Sequence, residues 1–220
     1  MKLYSLPLSP FAARVRLAIY RKGLEDKIEI LRPPEGGTRG EAYLALNPIG
    51  QVPALALDSG LTLAESSVIL EYLEDAFPEP SLRPADAEGL ARMRLLLKLP
   101  DGYFMGAPRI LLGMRQPEDR QPQLVAPAME NLHKALSYTE HYIGKGAWAV
   151  GDLPTLADCA LVPVLNAVNL IAMVHDEPDL LAPHPKLHAY WTQARQEPIN
   201  ARVIAEQLAA VPPIPTGVAA

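Results

Sequence analysis

The stretch that most narrows the fold is Lys2 to Leu31, in which an amphipathic helix separates two short apolar runs. Lys2 to Tyr20, KLYSLPLSPFAARVRLAIY, passes from a strand through a Pro-bounded loop into that helix, and Lys27 to Leu31, KIEIL, supplies the second strand. Ser9 reads as the N-cap, because its hydroxyl can accept a backbone N–H of the first turn. Pro10 suits the first helical position, where no donor is needed. Val15, Leu17, Ala18 and Ile19 form the apolar face, Arg14, Arg16, Arg21 and Lys22 are expected to point elsewhere, and Gly23 offers the stop. Two strands joined by a helical crossover pair in parallel with a right-handed connection, so the chain begins as a βαβ unit.

The next stretches extend this start. Arg32 to Gly40, RPPEGGTRG, is a Pro/Gly-rich loop, and Glu41 to Leu46 forms a helical turn ended by Asn47-Pro48. Val52 to Leu57 and Leu61 to Leu63, joined by Asp58-Ser59-Gly60, read as a β-hairpin. Pro53 cannot donate to a ladder, so it marks an edge or entry position, and its X-Pro bond can be cis at modest cost. Glu65 to Phe77 is a helix with Val68, Ile69, Tyr72, Leu73 and Phe77 as its expected core stripe, stopped by Pro78 and Pro80. The order β-α-β then β-β-α is the thioredoxin-like arrangement, an α/β N-terminal domain over residues 1–78.

Beyond a linker over 79–89, residues 90–208 carry no strand pattern and read as an all-α C-terminal domain. Ala87 to Leu112 is helical, with breaks expected at Pro100 and Pro108. Arg115 to Pro122 is a solvated turn, and Pro127 to Ile143 an amphipathic helix through Met129, Leu132, Leu136 and Tyr142. Thr155 and Asp158 resemble a capping box, and Cys159 to Ile171 is apolar nearly all round, as a helix at the centre of a domain is. His184 to Gln196 is a further helix, and a Pro-rich tail covers 209–220.

Composition excludes several functions. The 220 residues carry a net charge of -5 with no Lys/Arg run, which argues against nucleic acid or an anionic membrane as partner. No segment reads as membrane-spanning or as a targeting signal. The single cysteine excludes an internal disulfide and suits a reducing, cytoplasmic compartment. The five histidines do not cluster, so no metal is expected. Cys159, beside Asp158 in an apolar helix, reads as a small core residue rather than a nucleophile.

Three separated features bear on chemistry: the helix start at Ser9, Gln51-Val52-Pro53 at a strand entry, and Glu65-Ser66 opening a helix. With their surroundings they resemble a glutathione transferase of the serine type, similar to the theta, tau and zeta classes. SPFAARVRLA is similar to the family's serine-containing first-helix motif, NPIGQVPAL to its cis-proline loop, and LTLAESSVILEYLEDAFP to the segment that holds the γ-glutamyl group. GDLPTLADCALVPVL resembles its N-capping box and HPKLHAYWTQARQEPI its late helix.

The resemblance implies glutathione as co-substrate, a small hydrophobic electrophile as its partner, and a homodimer. A docked tripeptide adds to a strand edge by backbone hydrogen bonds, a role for Val52 beside Pro53. Glu65 would pair with the tripeptide's ammonium, while Ser66 and the helix start take its α-carboxylate. Gln51 and Arg39 are weaker contacts, judged by loop position. Ser9 would donate to the sulfur and, with the helix N-terminus behind it, lower the thiol's pKa. Ser5, near the same strand end, is the rival hydroxyl.

The electrophile pocket is expected between the domains, with Leu6, Leu8, Tyr103, Phe104, Met105 and Arg109 as candidates. A serine where cysteine-type branches place a thiol disfavours reductive dehalogenation and thiol transfer. Two other readings stand beside conjugation. One is a glutathione-dependent isomerase of a maleyl-type diacid, which needs cations such as Arg14 and Arg109, although PLSPF lacks the Ser-Ser-Cys start usual in that branch. The other is a protein that binds glutathione or hydrophobic ligands without turnover.

Overall fold

A computed structural model describes residues 1–104 and 106–211, so Met105 and the tail from residue 212 lie outside the described residues. Strands β1 (Lys2–Tyr4), β2 (Glu29–Leu31), β3 (Ala54–Ala56) and β4 (Thr62–Ala64) form one mixed sheet in the order β2-β1-β3-β4. β1 and β2 are parallel, with Leu3 opposite Ile30, while β3 runs antiparallel to both neighbours, with Leu55 opposite Leu3 and Leu63. β3 is therefore interior, and Pro53 sits at a strand entry rather than along an edge; the Val52-Pro53 bond is cis. Helices α1 (Pro10–Arg21), α2 (Glu41–Leu46) and α3 (Ser66–Ala76) complete this half.

Every later element among the described residues is helical: α4 (Ala87–Leu99), α5 (Gly106–Gly113), α6 (Pro122–Tyr142), α7 (Leu156–Val174), α8 (Pro185–Ala194) and α9 (Pro198–Ala209). The thioredoxin-like half thus precedes an all-α half. α1 joins them, packing on α3 of its own half and on α7 and α9 of the other.

That junction explains a correction. Arg14, Arg16 and Lys22 do not point away from the core; all are buried, because α1 is covered on more than one side. A buried cation needs specific acceptors. Arg16 donates to Ser5 Oγ (2.6 Å), to the Leu6 and Pro7 carbonyls, and to Glu206 (2.9 Å). Lys22 Nζ meets Glu74 at 2.5 Å and the carbonyls of Phe77 and Pro80, which pins the end of α1 to the turn after α3.

The stripe of α3 also differs. Ile69, Leu70 and Leu73 are its buried apolar residues, Tyr72 and Phe77 are half-buried, and Val68 is 51% exposed. Position 68 lies on the flank of the 66, 69, 70, 73 face that meets the sheet.

The prolines behave according to position. Pro108 is the third residue of α5, within the first turn where its missing donor has no intrahelical acceptor, so the helix runs through it. The break lies at Pro100–Phe104, a π-wound turn after α4. α6 starts at Pro122, not 127, and tolerates Pro127 within it at the cost of one backbone bond. α9 was not anticipated as a separate helix, although Glu197, whose side chain accepts the Asn200 N–H at 2.9 Å, and Pro198 mark its start.

α7 is the centre of the helical half. Its 19 residues are long and apolar enough for a membrane span by composition, contrary to the expectation from sequence, yet most of them are buried against the other helices. Thr155 Oγ accepts the Ala157 N–H, and Asp158 accepts the Thr155 N–H at 2.7 Å, closing the capping box. The Cys159 thiol is buried, which pushes its pKa up to about 12 and makes it a packing group.

Candidate functional site

Where β3 begins and α3 starts, the chain leaves a cavity of about 90 Å³ lined by Phe11, Gln51, Val52, Pro53, Glu65, Ser66 and Asp101. The loop before it is held from behind: the Gln51 carbonyl accepts from Tyr43 Oη (2.7 Å) and Asn47 Nδ2 (2.9 Å). The backbone of Val52 lies past the end of the β1–β3 ladder and makes no hydrogen bond among the described residues, so its donor and acceptor are open to a ligand.

Glu65 has φ 64°, a conformation that side chains avoid. It sits at the N-cap of α3, where its carbonyl accepts the Ile69 N–H but its side chain makes no bond to the helix, which leaves the first N–H groups of α3 beside the cavity without side-chain acceptors. Such strain persists where the surroundings fix it and is found at ligand clamps.

Phe11 is shared with a second cavity of about 210 Å³, lined otherwise by Pro10, Phe104, Pro108, Leu112, Val164 and the exposed Arg109. The lining is apolar apart from that guanidinium, for which no carboxylate partner lies within ion-pair distance among the described residues. A polar cavity with an open backbone edge and an apolar one with a single cation thus share an aromatic wall.

Ser9 precedes that wall. Its Oγ accepts the Ala12 N–H at 3.2 Å, which leaves its hydroxyl proton available, but Ser9 does not itself line either cavity. Ser5 is 3% exposed, occupied by Arg16, and borders a different cavity with Tyr20 and Glu206.

Of the other candidates, Phe104 and Arg109 reach the apolar cavity, whereas Leu6 and Leu8 do not line it. Tyr103 turns the opposite way, into a groove between α5 and α6, where it stands edge-on to Tyr138. Adjacent residues of a helical turn point in different directions, and Tyr103 and Phe104 accordingly line different cavities. Arg39 lies on a 3₁₀ turn close to Gly50, outside the polar cavity.

Two residues escaped the sequence reading. Phe11 had the signal of an aromatic at the first turn of α1, and Asp101 had none. Asp101 Oδ1 accepts from Arg14 Nη1 at 2.7 Å; Arg14 is wholly buried, and its guanidinium stands 4.5 Å over the Phe11 ring. Burial pulls the Arg14 pKa below its ordinary value, and the charges of Asp101 and Glu65 push back.

Comparison with known proteins agrees with this architecture. Residues 8–76 match the glutathione S-transferase N-terminal domain and residues 104–198 the glutathione S-transferase C-terminal domain. A maleylacetoacetate isomerase of Pseudomonas aeruginosa is 36% identical over 198 residues, spanning 84% of this chain and 92% of the relative. A glutathione S-transferase of Methylobacterium radiotolerans, solved in complex with glutathione sulfonate, superposes with a TM-score of 0.75 at 28% identity, covering 92% of this chain and 93% of that one. A holo maleyl pyruvate isomerase, a bacterial glutathione S-transferase of the zeta class, does so at 0.74 and 31%, covering 92% and 96%. The chain belongs to the glutathione S-transferase family.

Proposed function

We propose that this chain binds reduced glutathione in the polar cavity, ionises its thiol, and conjugates it to hydrophobic electrophiles held in the apolar cavity. The observation that carries the reading is the pairing of the two cavities across Phe11. In this assignment the open backbone of Val52, with Pro53 and Gln51, receives the cysteinyl segment. Glu65 takes the ammonium, and Ser66 with the α3 start takes the α-carboxylate. Ser9 donates to the sulfur, supported by the α1 N-terminus, while Ser5 is already engaged by Arg16. Phe104 and Arg109 border the electrophile; Leu8, Tyr103 and Arg39 take no part.

The test is calorimetric titration with glutathione, followed by conjugation of an activated aryl halide. Saturable binding with turnover is expected. Binding without turnover would give the place to the non-catalytic reading, and no binding would reject both.

A second reading, isomerisation of a maleyl-type diacid, is favoured by Arg109. One cation on an apolar wall suits a substrate carboxylate, and the isomerase relatives agree with it. If so, Arg109→Gln lowers kcat/KM for a maleyl diacid by about tenfold and leaves aryl halide conjugation within about twofold, since a charge-assisted hydrogen bond contributes about that much. Equal effects on both substrates would remove the case for a diacid.

We also assign a homodimer contact to the face formed by Leu63, Val68, Tyr72 and Leu97 beside the acidic Glu71 and Asp75. Val68→Asp is expected to shift the protein from dimer to monomer in light scattering, because a carboxylate placed in an apolar contact beside Glu71 and Asp75 is left unpaired. We place the protein in the cytoplasm, a reducing compartment consistent with its lone buried thiol.

A further inference from the structure

We infer that Arg16 is a positioning residue for Ser9: its guanidinium holds the connector between β1 and α1 in the shape that aims the Ser9 hydroxyl. The inference rests on the glutathione reading above, in which that hydroxyl ionises the bound thiol.

The connector, residues 5–9, has little backbone bonding to fix it. Pro7 has no donor. Among the described residues, the backbone bonds made by positions 5–8 run from the Ser5 N–H to the Leu31 carbonyl (2.8 Å) and from the Ser9 N–H to the Leu6 carbonyl (3.1 Å). Arg16 supplies the rest with every nitrogen of its fork. Nη1 donates to Ser5 Oγ (2.6 Å) and the Leu6 carbonyl (3.3 Å), Nη2 to the Pro7 carbonyl (2.9 Å), and Nε to Glu206 (2.9 Å). The Leu6 carbonyl thus accepts from Arg16 and from the Ser9 N–H together, so a single oxygen links the guanidinium to the serine's backbone.

Helix geometry puts the guanidinium there. Ser9 and Arg16 are spaced i, i+7, close to two full turns, so they share one face of α1. Side chains on a helix lean toward its N-terminus, which carries the fork back to the connector. Arg16 is 3% exposed and its anchor is itself fixed, because the other oxygen of Glu206 accepts from Tyr20 Oη at 2.8 Å. Glu206 belongs to α9, so the serine's loop is referenced to both halves of the molecule.

A simpler role for Arg16 is a buried ion pair that joins α1 to α9. One bond to Glu206 would serve that role, and a lysine could make it; three of the four bonds go to the connector instead, where only a planar fork reaches several acceptors at once. Arg16 lines neither the polar nor the apolar cavity, so replacing it removes no wall of either.

The deciding experiment titrates the thiol of bound glutathione by its ultraviolet thiolate absorbance, in the native chain, Arg16→Lys, Ser9→Ala and the double variant. Arg16→Lys keeps a cation beside Glu206 and loosens the connector. It is expected to raise the bound thiol's pKa by about 1 and to lower kcat for conjugation by about tenfold, while the calorimetric Kd for glutathione stays within about threefold. In the Ser9→Ala background the same substitution should move the thiol's pKa hardly at all, since a positioning residue acts only through the group it positions. An unchanged thiol pKa in Arg16→Lys, with only a lower melting temperature, overturns the inference; so does an equal shift in both backgrounds.

Either result leaves native glutathione binding, and hence the proposed function, intact, whereas a native protein that binds no glutathione rejects both. Should Arg16→Lys fail to fold, Glu206→Ala keeps the fork on the connector and removes its anchor. It is expected to raise the bound thiol's pKa in the same direction, and an unchanged value there overturns the inference as well.

Discussion

Ser9→Ala is expected to lower kcat/KM for conjugation by about 20- to 100-fold and to abolish the ultraviolet thiolate absorbance of bound glutathione. A thiol of pKa about 8.5 is only about 3% ionised at pH 7, whereas one lowered by about two units is about three-quarters ionised, a difference of roughly 25-fold. Loss of aim at the electrophile adds to that. The substitution also removes the cap on Ala12, which costs about 1 kcal/mol of stability and is visible as a lower melting temperature. Ser9→Thr retains a hydroxyl and a cap and should recover most of both. If the thiolate signal survives in Ser9→Ala, the N-terminus of α1 alone ionises the sulfur, and the serine is only a cap.

The largest effect on stability is expected far from the cavities. Asp158 is 0% exposed and accepts from the Ala149 N–H (2.8 Å), the Thr155 N–H (2.7 Å) and hydroxyl (3.0 Å), and Tyr190 Oη (2.9 Å). It therefore ties the start of α7 to the loop before it and to α8. Asp158→Ala strands these donors in the core, each at a cost of about 1–3 kcal/mol, so about 3–5 kcal/mol should be lost in urea unfolding after local relaxation. Because α7 packs against α1, which Ser9 caps and which carries Phe11, refolding yield and activity should fall together. A loss under about 1 kcal/mol would mean that solvent reaches the stranded donors and α7 is less sealed than its burial indicates.

How legible each part was in the sequence depended on the range of its cause. Ser9-Pro10 and Thr155 with Asp158 are local devices, so the starts of α1 and α7 could be placed from a few letters. The hairpin followed from Asp58-Ser59-Gly60 in the same way. Burial of basic residues could not be read, since the partners of Arg14, Arg16 and Lys22 are Asp101, Glu206 and Glu74, all distant in sequence. Only the fold brings them within reach.

Val68 shows a related limit. Its residue type fits a core stripe, but which flank of α3 meets the sheet is decided by packing. Val52, Glu65 and Ser66 line one cavity, and strand entry and helix start are both sequence signals. Tyr103 and Asp101 depended instead on how the helical half turns at Pro100.

That turn sets the phase of everything after it. A π-wound segment advances by a smaller angle per residue than an α-helix, so α5 does not continue the rows of side chains begun on α4. Residues 100–104 act as an angular gear between the acidic wall at Asp101 and the apolar wall at Arg109 and Leu112. Removing one residue there would reset the phase of the second wall against the first while leaving α1, β3 and α3 untouched. Under the proposed function, substrate range would drift by insertion or deletion at a single turn, with β3 and the start of α3 unchanged.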